Sequence, residues 1–254
     1  MILGALIGDF IGSVYEFSDR RGRDLPLITR ESRPTDETFL IYATDRAIKS
    51  DGDYERSYID IIRKYSDVGF GARLLDWSHS LDSLMTNSWG NGAATRAIPI
   101  ASVESWDLDY ALDEAERSAA VTHDTDDARL TSRAVVEALY RLRMGESTSS
   151  VIDSIEREYF GLDDNLDELG ETFDTTDSII TVPVAIQVGL TSTSFIDAVR
   201  TCLALGGDVD SVMCIACSIA SMRHPMEGVD KVRTMMNLKN MINYPELVEW
   251  QSSI

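Results

Sequence analysis

Two short clusters of acidic and hydroxyl side chains hold most of the chemistry this chain can do. One is Thr35-Asp36-Glu37-Thr38; the other is Gly206-Gly207-Asp208-Val209-Asp210-Ser211. Each packs two carboxylates and a hydroxyl into four residues, at the start of an apolar run with helical spacing. Hard oxygen donors at that density suit Mg²⁺ or Mn²⁺, whereas zinc would call for thiolates or several imidazoles. Brought together by a fold, the clusters would hold one or two such ions, which can orient a substrate and activate a water. The same residues also read as helix starts, with Thr35 or Asp208 as N-cap and negative charge in the first turn. Both readings stand at this level.

A third motif opens the chain. Gly4, Gly8 and Gly12 recur every four residues, and Glu16 continues that spacing. On a helix they form one smooth stripe against which another backbone can pack closely. Glycine costs roughly 1 kcal/mol relative to alanine in a helix, so three on one face imply a packing reason. A membrane dimerisation stripe is excluded, because Asp9 interrupts a run too short to cross a bilayer.

Other reactive side chains offer less. Cys214 and Cys217 form a lone Cys-x-x-Cys inside an apolar helical run and read as buried structural thiols. His79 and His224 have no partner pattern and read as surface or turn residues. Ser88 lacks a recognisable His/Asp arrangement, which leaves serine nucleophile chemistry unsupported.

The elements that must position these residues are helical throughout. Apolar residues recur at three- and four-residue spacing in Phe39–Ile48, Tyr58–Tyr65, Leu108–Val121, Ala128–Leu142, Val151–Tyr159, Ile179–Val188, Phe195–Leu205 and Val212–Met222. Gly145 and Gly161 are placed to stop helices. The polar stretch Asp19–Pro34 joins Glu16 to the first acidic cluster, in a position to gate a cleft. The acidic stretch Asp163–Asp177 reads as a loop. No Gly-x-Gly-x-x-Gly follows a strand, so a dinucleotide fold falls away.

With 254 residues and 44% hydrophobic content, the chain can bury one substantial core, and a single domain over 1–254 is expected. A net charge of −20 argues against non-specific nucleic-acid binding. No segment reads as a transmembrane helix or a signal peptide. Together with three cysteines, an odd count, this gives the expectation of a cytoplasmic, non-membrane protein, taken as a monomer.

Five motifs in order carry a resemblance: Gly4 to Glu16, the Thr35 cluster, Gly90-Asn91-Gly92-Ala93-Ala94, Thr122-His123 and the Gly206 cluster. The chain resembles the ADP-ribosylglycohydrolase family, which includes the dinitrogenase reductase-activating glycohydrolase. That resemblance implies an all-α domain with two Mg²⁺ ions (Mn²⁺ as the alternative) in a central cleft. It also implies hydrolysis of the bond between ADP-ribose and an acceptor, on a protein side chain or a small conjugate. It assigns Thr35, Asp36, Glu37, Asp208, Asp210 and Ser211 as metal ligands, and Glu16, with Asp36 and Glu37, as the catalytic carboxylates. Ser88, Trp89, Gly90, Asn91, Gly92 and His123 become the substrate-binding set.

Three positions depart from the family pattern. Glu37 stands where an aspartate is usual, one methylene longer, against an ion that tolerates little departure from octahedral geometry. Asp208-Val209-Asp210-Ser211 replaces an Asp-Thr-Asp-Thr ending and keeps the final hydroxyl. Asp124-Thr125-Asp126 follows His123 where a second histidine and a proline are common, which alters the substrate rim. The functional expectation is a Mg²⁺-dependent ADP-ribosyl-acceptor hydrolase; the alternative is a catalytically silent relative that binds ADP-ribose or serves a structural role.

Overall fold

The computed structural model describes residues 1–80, 87–162, 166 and 173–254. Among them the chain forms α1 (Ile2–Gly12), α2 (Asp36–Lys49), α3 (Tyr54–Lys64), α4 (Ala72–Ser80) and α5 (Gly92–Arg96). A 3₁₀ turn follows at Ile98–Ser102, then α6 (Leu108–Ala120), α7 (Asp126–Arg143), α8 (Thr148–Glu158) and α9 (Ser178–Thr191). The last four are α10 (Phe195–Leu205), α11 (Val209–Arg223), α12 (Asp230–Asn243) and α13 (Pro245–Gln251). Extended pairing among the described residues is confined to two isolated bridges, Asn87 with His123 and Gly90 with Asp177. The all-α expectation therefore holds.

Helix α11 is buried from Val209 through Ala220, which is why its sequence is apolar on every side. Helix α1 lies directly against it, and the glycine stripe explains how. A Cβ on Gly4 would sit 2.4 Å from the Cys217 carbonyl, one on Gly8 2.4 Å from that of Met213, and one on Gly12 2.5 Å from the Asp210 Cα. The stripe therefore brings the end of α1 onto the first turn of α11, beside the second acidic cluster. One cluster of buried apolar side chains then runs from Ile2 to Trp250. Cys202, Cys214 and Cys217 are buried free thiols within it.

Every helical run read from periodicity is a helix, and Phe195–Leu205 coincides with α10. Gly145, at φ +82°, follows the end of α7 as expected of a stop. The N-terminal helix is shorter than its spacing implied. It ends at Gly12, where the Ser13 hydroxyl donates to the Phe10 carbonyl at 3.0 Å and Tyr15 N–H turns back to Gly12 O at 2.7 Å. Glu16 thus lies in a turn beyond the helix, followed by Phe17 at φ +45°. Helices α4, α5, α12 and α13 were not legible. Helix α5 has only five residues, and α12 leaves Leu238, Met241 and Ile242 exposed, which blurs its apolar face.

The connection from Ser13 to Pro34 is tied down along its length. Arg21 Nη1 donates to the Leu205 carbonyl at 3.0 Å, Arg23 Nη1 to Thr201 at 2.9 Å, and Lys239 Nζ to the Arg30 carbonyl at 2.6 Å. Of the acidic stretch read as a loop, 163–165 and 167–172 lie outside the described residues. Phe173 is buried, and Asp177 caps α9 by accepting from Ile179 N–H at 3.2 Å. No helix among the described residues is long and apolar enough to cross a membrane.

Candidate active site

Asp9 is the joint on which the site is built. It is fully buried in α1, and burial pushes its pKa up, opposed by the donors it holds. It accepts from Thr35 N–H at 2.9 Å, from the Thr35 hydroxyl at 2.6 Å, and from the Thr38 hydroxyl. Those bonds fix the N-terminus of α2 against α1, while the glycine stripe fixes the N-terminus of α11 against the same helix. Both acidic clusters therefore meet at one place.

They open into a cavity of about 430 Å³. Its walls include Glu16, Asp36, Glu37, Asp208, Asp210 and Ser211, together with Ser88, Gly90, Asn91, Gly92 and His123. Leu40, Trp77 and Arg73 complete the sides. Two of the expected residues, Thr35 and Trp89, are not among those that line it. Thr35 is the buried N-cap of α2, with its hydroxyl donating to Asp9 and accepting from Glu37 N–H at 3.3 Å. Trp89 is 56% exposed and is not among the lining residues.

The two clusters differ locally. Thr35 is a working N-cap. Asp208 occupies the N-cap position of α11 but makes no capping bond. Its Oδ2 instead accepts from Asn91 Nδ2 at 2.7 Å, and Asn91 also donates to Thr181 Oγ1 at 3.1 Å. Glu37 joins three helices: one oxygen accepts from the Thr95 hydroxyl of α5, the other from the Ser211 hydroxyl of α11 at 2.8 Å. The extra methylene of glutamate at this position is taken up in that bridge. One carboxylate oxygen from each of Glu16, Asp208 and Asp210 lies within 4.8 Å of the others.

Burial shifts every one of these groups upward, and crowding of like charge adds to it at Glu16, Asp36, Glu37 and Asp210. Asp36 is pushed well above the usual carboxylate range by burial and then by Glu37, Asp9 and Glu16. Asp210 moves likewise, through burial and then Asp208, Glu16, Asp9 and Glu37. Glu37 is raised to about 7, mainly by burial, with the Thr95 bond opposing. Burial raises Asp208 against the Asn91 bond. Glu16, more open, is raised by partial burial and by Asp208 and Asp9, with Arg33 opposing.

A set of hard oxygen donors with unbalanced negative charge fits a divalent cation such as Mg²⁺. The hydroxyl oxygens of Ser211 and Thr35 each retain a lone pair beyond the bonds they already make. Asp208 and Asp210 also keep acceptor capacity towards the cavity, so the donor chemistry of the cluster suits such an ion.

The glycine loop that also lines the cavity is held by backbone. Asn91 N–H donates to Thr176 O at 3.0 Å and Ser178 N–H to Trp89 O at 3.0 Å, which staples the Ser88–Gly92 loop to the start of α9. Thr125 Oγ1 adds a bond to Ser88 O at 3.3 Å. His123 faces this loop, with its pKa held well below the usual range by burial and by Arg96 and Arg73.

The sequence profile of the ADP-ribosylglycohydrolase family matches residues 1–242. The chain belongs to the ADP-ribosylglycohydrolase family. A solved structure described as an ADP-ribosylglycohydrolase-related protein complex aligns with TM-score 0.72 and 17% identity, covering 100% of this chain and 96% of that one. That likeness bears on the fold, the helical domain described above. A search of curated proteins finds no match. Membership makes a hydrolase of ADP-ribosylglycohydrolase type the established frame for the site.

Sequence reasoning missed Asp9, Thr95, Thr181, Arg96 and Arg73 as parts of the site. Asp9 alone carried a signal: a carboxylate inside an otherwise apolar helix must be paired when buried. The others are ordinary residue types whose partners lie far away in sequence.

Proposed function

We propose that this ADP-ribosylglycohydrolase family member releases ADP-ribose from an acceptor, a modified protein side chain or a small ADP-ribose conjugate, in a Mg²⁺-dependent hydrolysis. The observation that carries the reading is the convergence, in one cavity, of both acidic clusters, Glu16, the glycine loop and His123.

Asp36, Glu37, Asp208, Asp210 and Ser211 would hold the cations, with Thr35 contributing through its remaining lone pair; Mn²⁺ is the natural substitute. Bound there, the ions supply Lewis acidity and a water of lowered pKa. Breaking a bond at the anomeric carbon of ribose builds positive charge on the ring, which the carboxylate wall stabilises. Asn91 keeps Asp208 turned towards the cavity. Glu16 is the most exposed carboxylate of the group and lies on a turn, which leaves it free to exchange a proton with water or a leaving group. It takes the proton of the attacking water or gives one to the leaving group. The Ser88–Gly92 loop, whose glycines let backbone N–H groups approach, receives the diphosphate and distal ribose.

The test is release of free ADP-ribose from arginine-linked, serine-linked and O-acetyl substrates, with Mg²⁺ and with EDTA. Release from at least one linkage, lost with EDTA, is expected. Glu16→Gln should abolish turnover while ADP-ribose still binds; retained turnover would remove Glu16 from the mechanism. Metal-dependent ADP-ribose binding with no release from any linkage would favour a silent binding protein.

A further inference from the structure

Behind His123 lies a buried chain of donors that the reading above does not use. Arg96 is fully buried in α5, with its guanidinium 4.3 Å from the centre of the Tyr58 ring. Its Nη2 donates to Ser118 O at 2.7 Å, and its Nη1 to the Thr122 hydroxyl at 2.7 Å. The Thr122 hydroxyl in turn lies 2.8 Å from His123 Nδ1.

The direction of the proton in that second bond follows from the first. A guanidinium has donors only, so Thr122 Oγ1 accepts from Arg96. Thr122 is 4% exposed, and among the described residues no acceptor other than His123 Nδ1 lies within hydrogen-bonding distance of its hydroxyl. A buried hydroxyl proton left unbonded costs free energy, so the proton points at Nδ1. Nδ1 is then an acceptor, and the neutral ring carries its hydrogen on Nε2. Burial and the nearby positive charge of Arg96 and Arg73 disfavour the imidazolium in the same direction.

Nε2 faces the glycine loop. A Cβ built on Gly90 would stand 3.6 Å from it and one on Gly92 4.0 Å, and no partner for it is found among the described residues. The missing side chains leave that N–H open to the cavity.

We propose that Arg96 and Thr122 are positioning residues that lock His123 in its Nε2–H tautomer, so that the imidazole offers a fixed hydrogen-bond donor to a ligand oxygen. The oxygens of a diphosphate are of that kind, an assignment that rests on the ADP-ribose reading above. A ring in this state does not serve as a base: Nδ1 is occupied by Thr122 and Nε2 already bears a hydrogen. Proton transfer in the cavity then falls to Glu16.

The tautomer is read without any ligand. Protein labelled with ¹⁵N in its three histidines gives a proton–nitrogen correlation spectrum, in which His123→Gln identifies the His123 signals. The expected pattern is a neutral ring protonated at Nε2 alone. A ring protonated at Nδ1, or a mixture of the two, overturns the proposal. Thr122→Val should release the lock, giving a tautomer mixture and roughly three- to tenfold weaker ADP-ribose binding. Thr122→Ser should restore both. A Thr122→Val protein that only melts lower, with tautomer and binding unchanged, would make Thr122 merely structural and sink the idea. The predicted tautomer in a protein that binds no ADP-ribose would uphold the lock and count only against the choice of ligand.

Discussion

Buried carboxylates occur in two regions of this molecule, and they are treated in opposite ways. Apart from Asp9 and the carboxylates of the cavity, each of those among the described residues has a cation. Asp45 pairs with Lys49 at 2.7 Å and also accepts from Trp250. Glu114 pairs with Arg117 and accepts from the Tyr54 hydroxyl at 2.7 Å. Glu137 pairs with Arg141 at 2.7 Å and takes further bonds from Ser154 and Tyr159, which together hold its pKa below the usual value. In the cavity, Glu37 and Asp208 receive only hydroxyl and amide donors, and their pKa values rise with those of Asp36 and Asp210. The first group is neutralised by the chain itself. The second keeps its charge unbalanced, at a cost to stability, and that cost is what an arriving divalent cation relieves.

The strongest way to break this contrast is to remove charge on the cavity side. Asp210→Asn should lower turnover by about two orders of magnitude or more and abolish the rise in melting temperature on adding Mg²⁺. The metal-free variant should melt no lower than the parent, because a repelled charge has been removed. A variant that melts much lower, with its Mg²⁺ response intact, would place Asp210 among the structural carboxylates.

Next in size is the dependence on pH. Glu37 binds its proton more tightly in the folded state, at about 7, than in the unfolded chain. Its contribution to stability is therefore complete below the ordinary glutamate range and lost as pH rises through 7. The metal-free protein should lose about 2.5 kcal/mol between pH 5 and pH 8 through this group, and Mg²⁺ should restore stability most at the alkaline end. Glu137 has the opposite sign: its contribution is present at neutral pH and is lost as acid protonates it. Denaturant melts of the EDTA-treated protein from about pH 3 to pH 8, with and without Mg²⁺, measure both limbs.

Glu137→Gln sharpens the other side. It should cost about 2 kcal/mol, since Arg141 and the Tyr159 and Ser154 hydroxyls lose a charged acceptor. Turnover at saturating Mg²⁺ should stay within a factor of two, which the release assay and a thermal melt test together. The smallest effect on turnover belongs to Thr35; Thr35→Ala removes the cap on α2 and one bond to buried Asp9, so it should lower stability by about 2 kcal/mol in EDTA. A larger loss appearing only when Mg²⁺ is present would show that its lone pair reaches the ion.

Particular residues mark where sequence stopped being enough. Gly4, Gly8 and Gly12 announced a close backbone contact and made one, because a missing Cβ has the same consequence in any context. The helices around apolar stripes were legible for a similar reason, as periodicity is a local property of the chain. The Thr35 and Gly206 clusters were ambiguous between helix cap and ligand set, and the answer differs between them. Thr35 caps; Asp208 sits at a cap position and bonds Asn91 instead. Nothing near Asp208 in sequence distinguishes it, since the deciding partner is 117 positions away.

What the sequence determined alone was an all-helical chain with oxygen-rich clusters set at helix starts and a glycine face ready to pack. The tertiary structure decided which carboxylates are paired and which are left to face one another. Local spacing fixes a side chain's direction relative to its own helix. Whether it meets a lysine, a hydroxyl or another carboxylate depends on the surface that packing brings opposite, and charge balance is a property of that assembled neighbourhood.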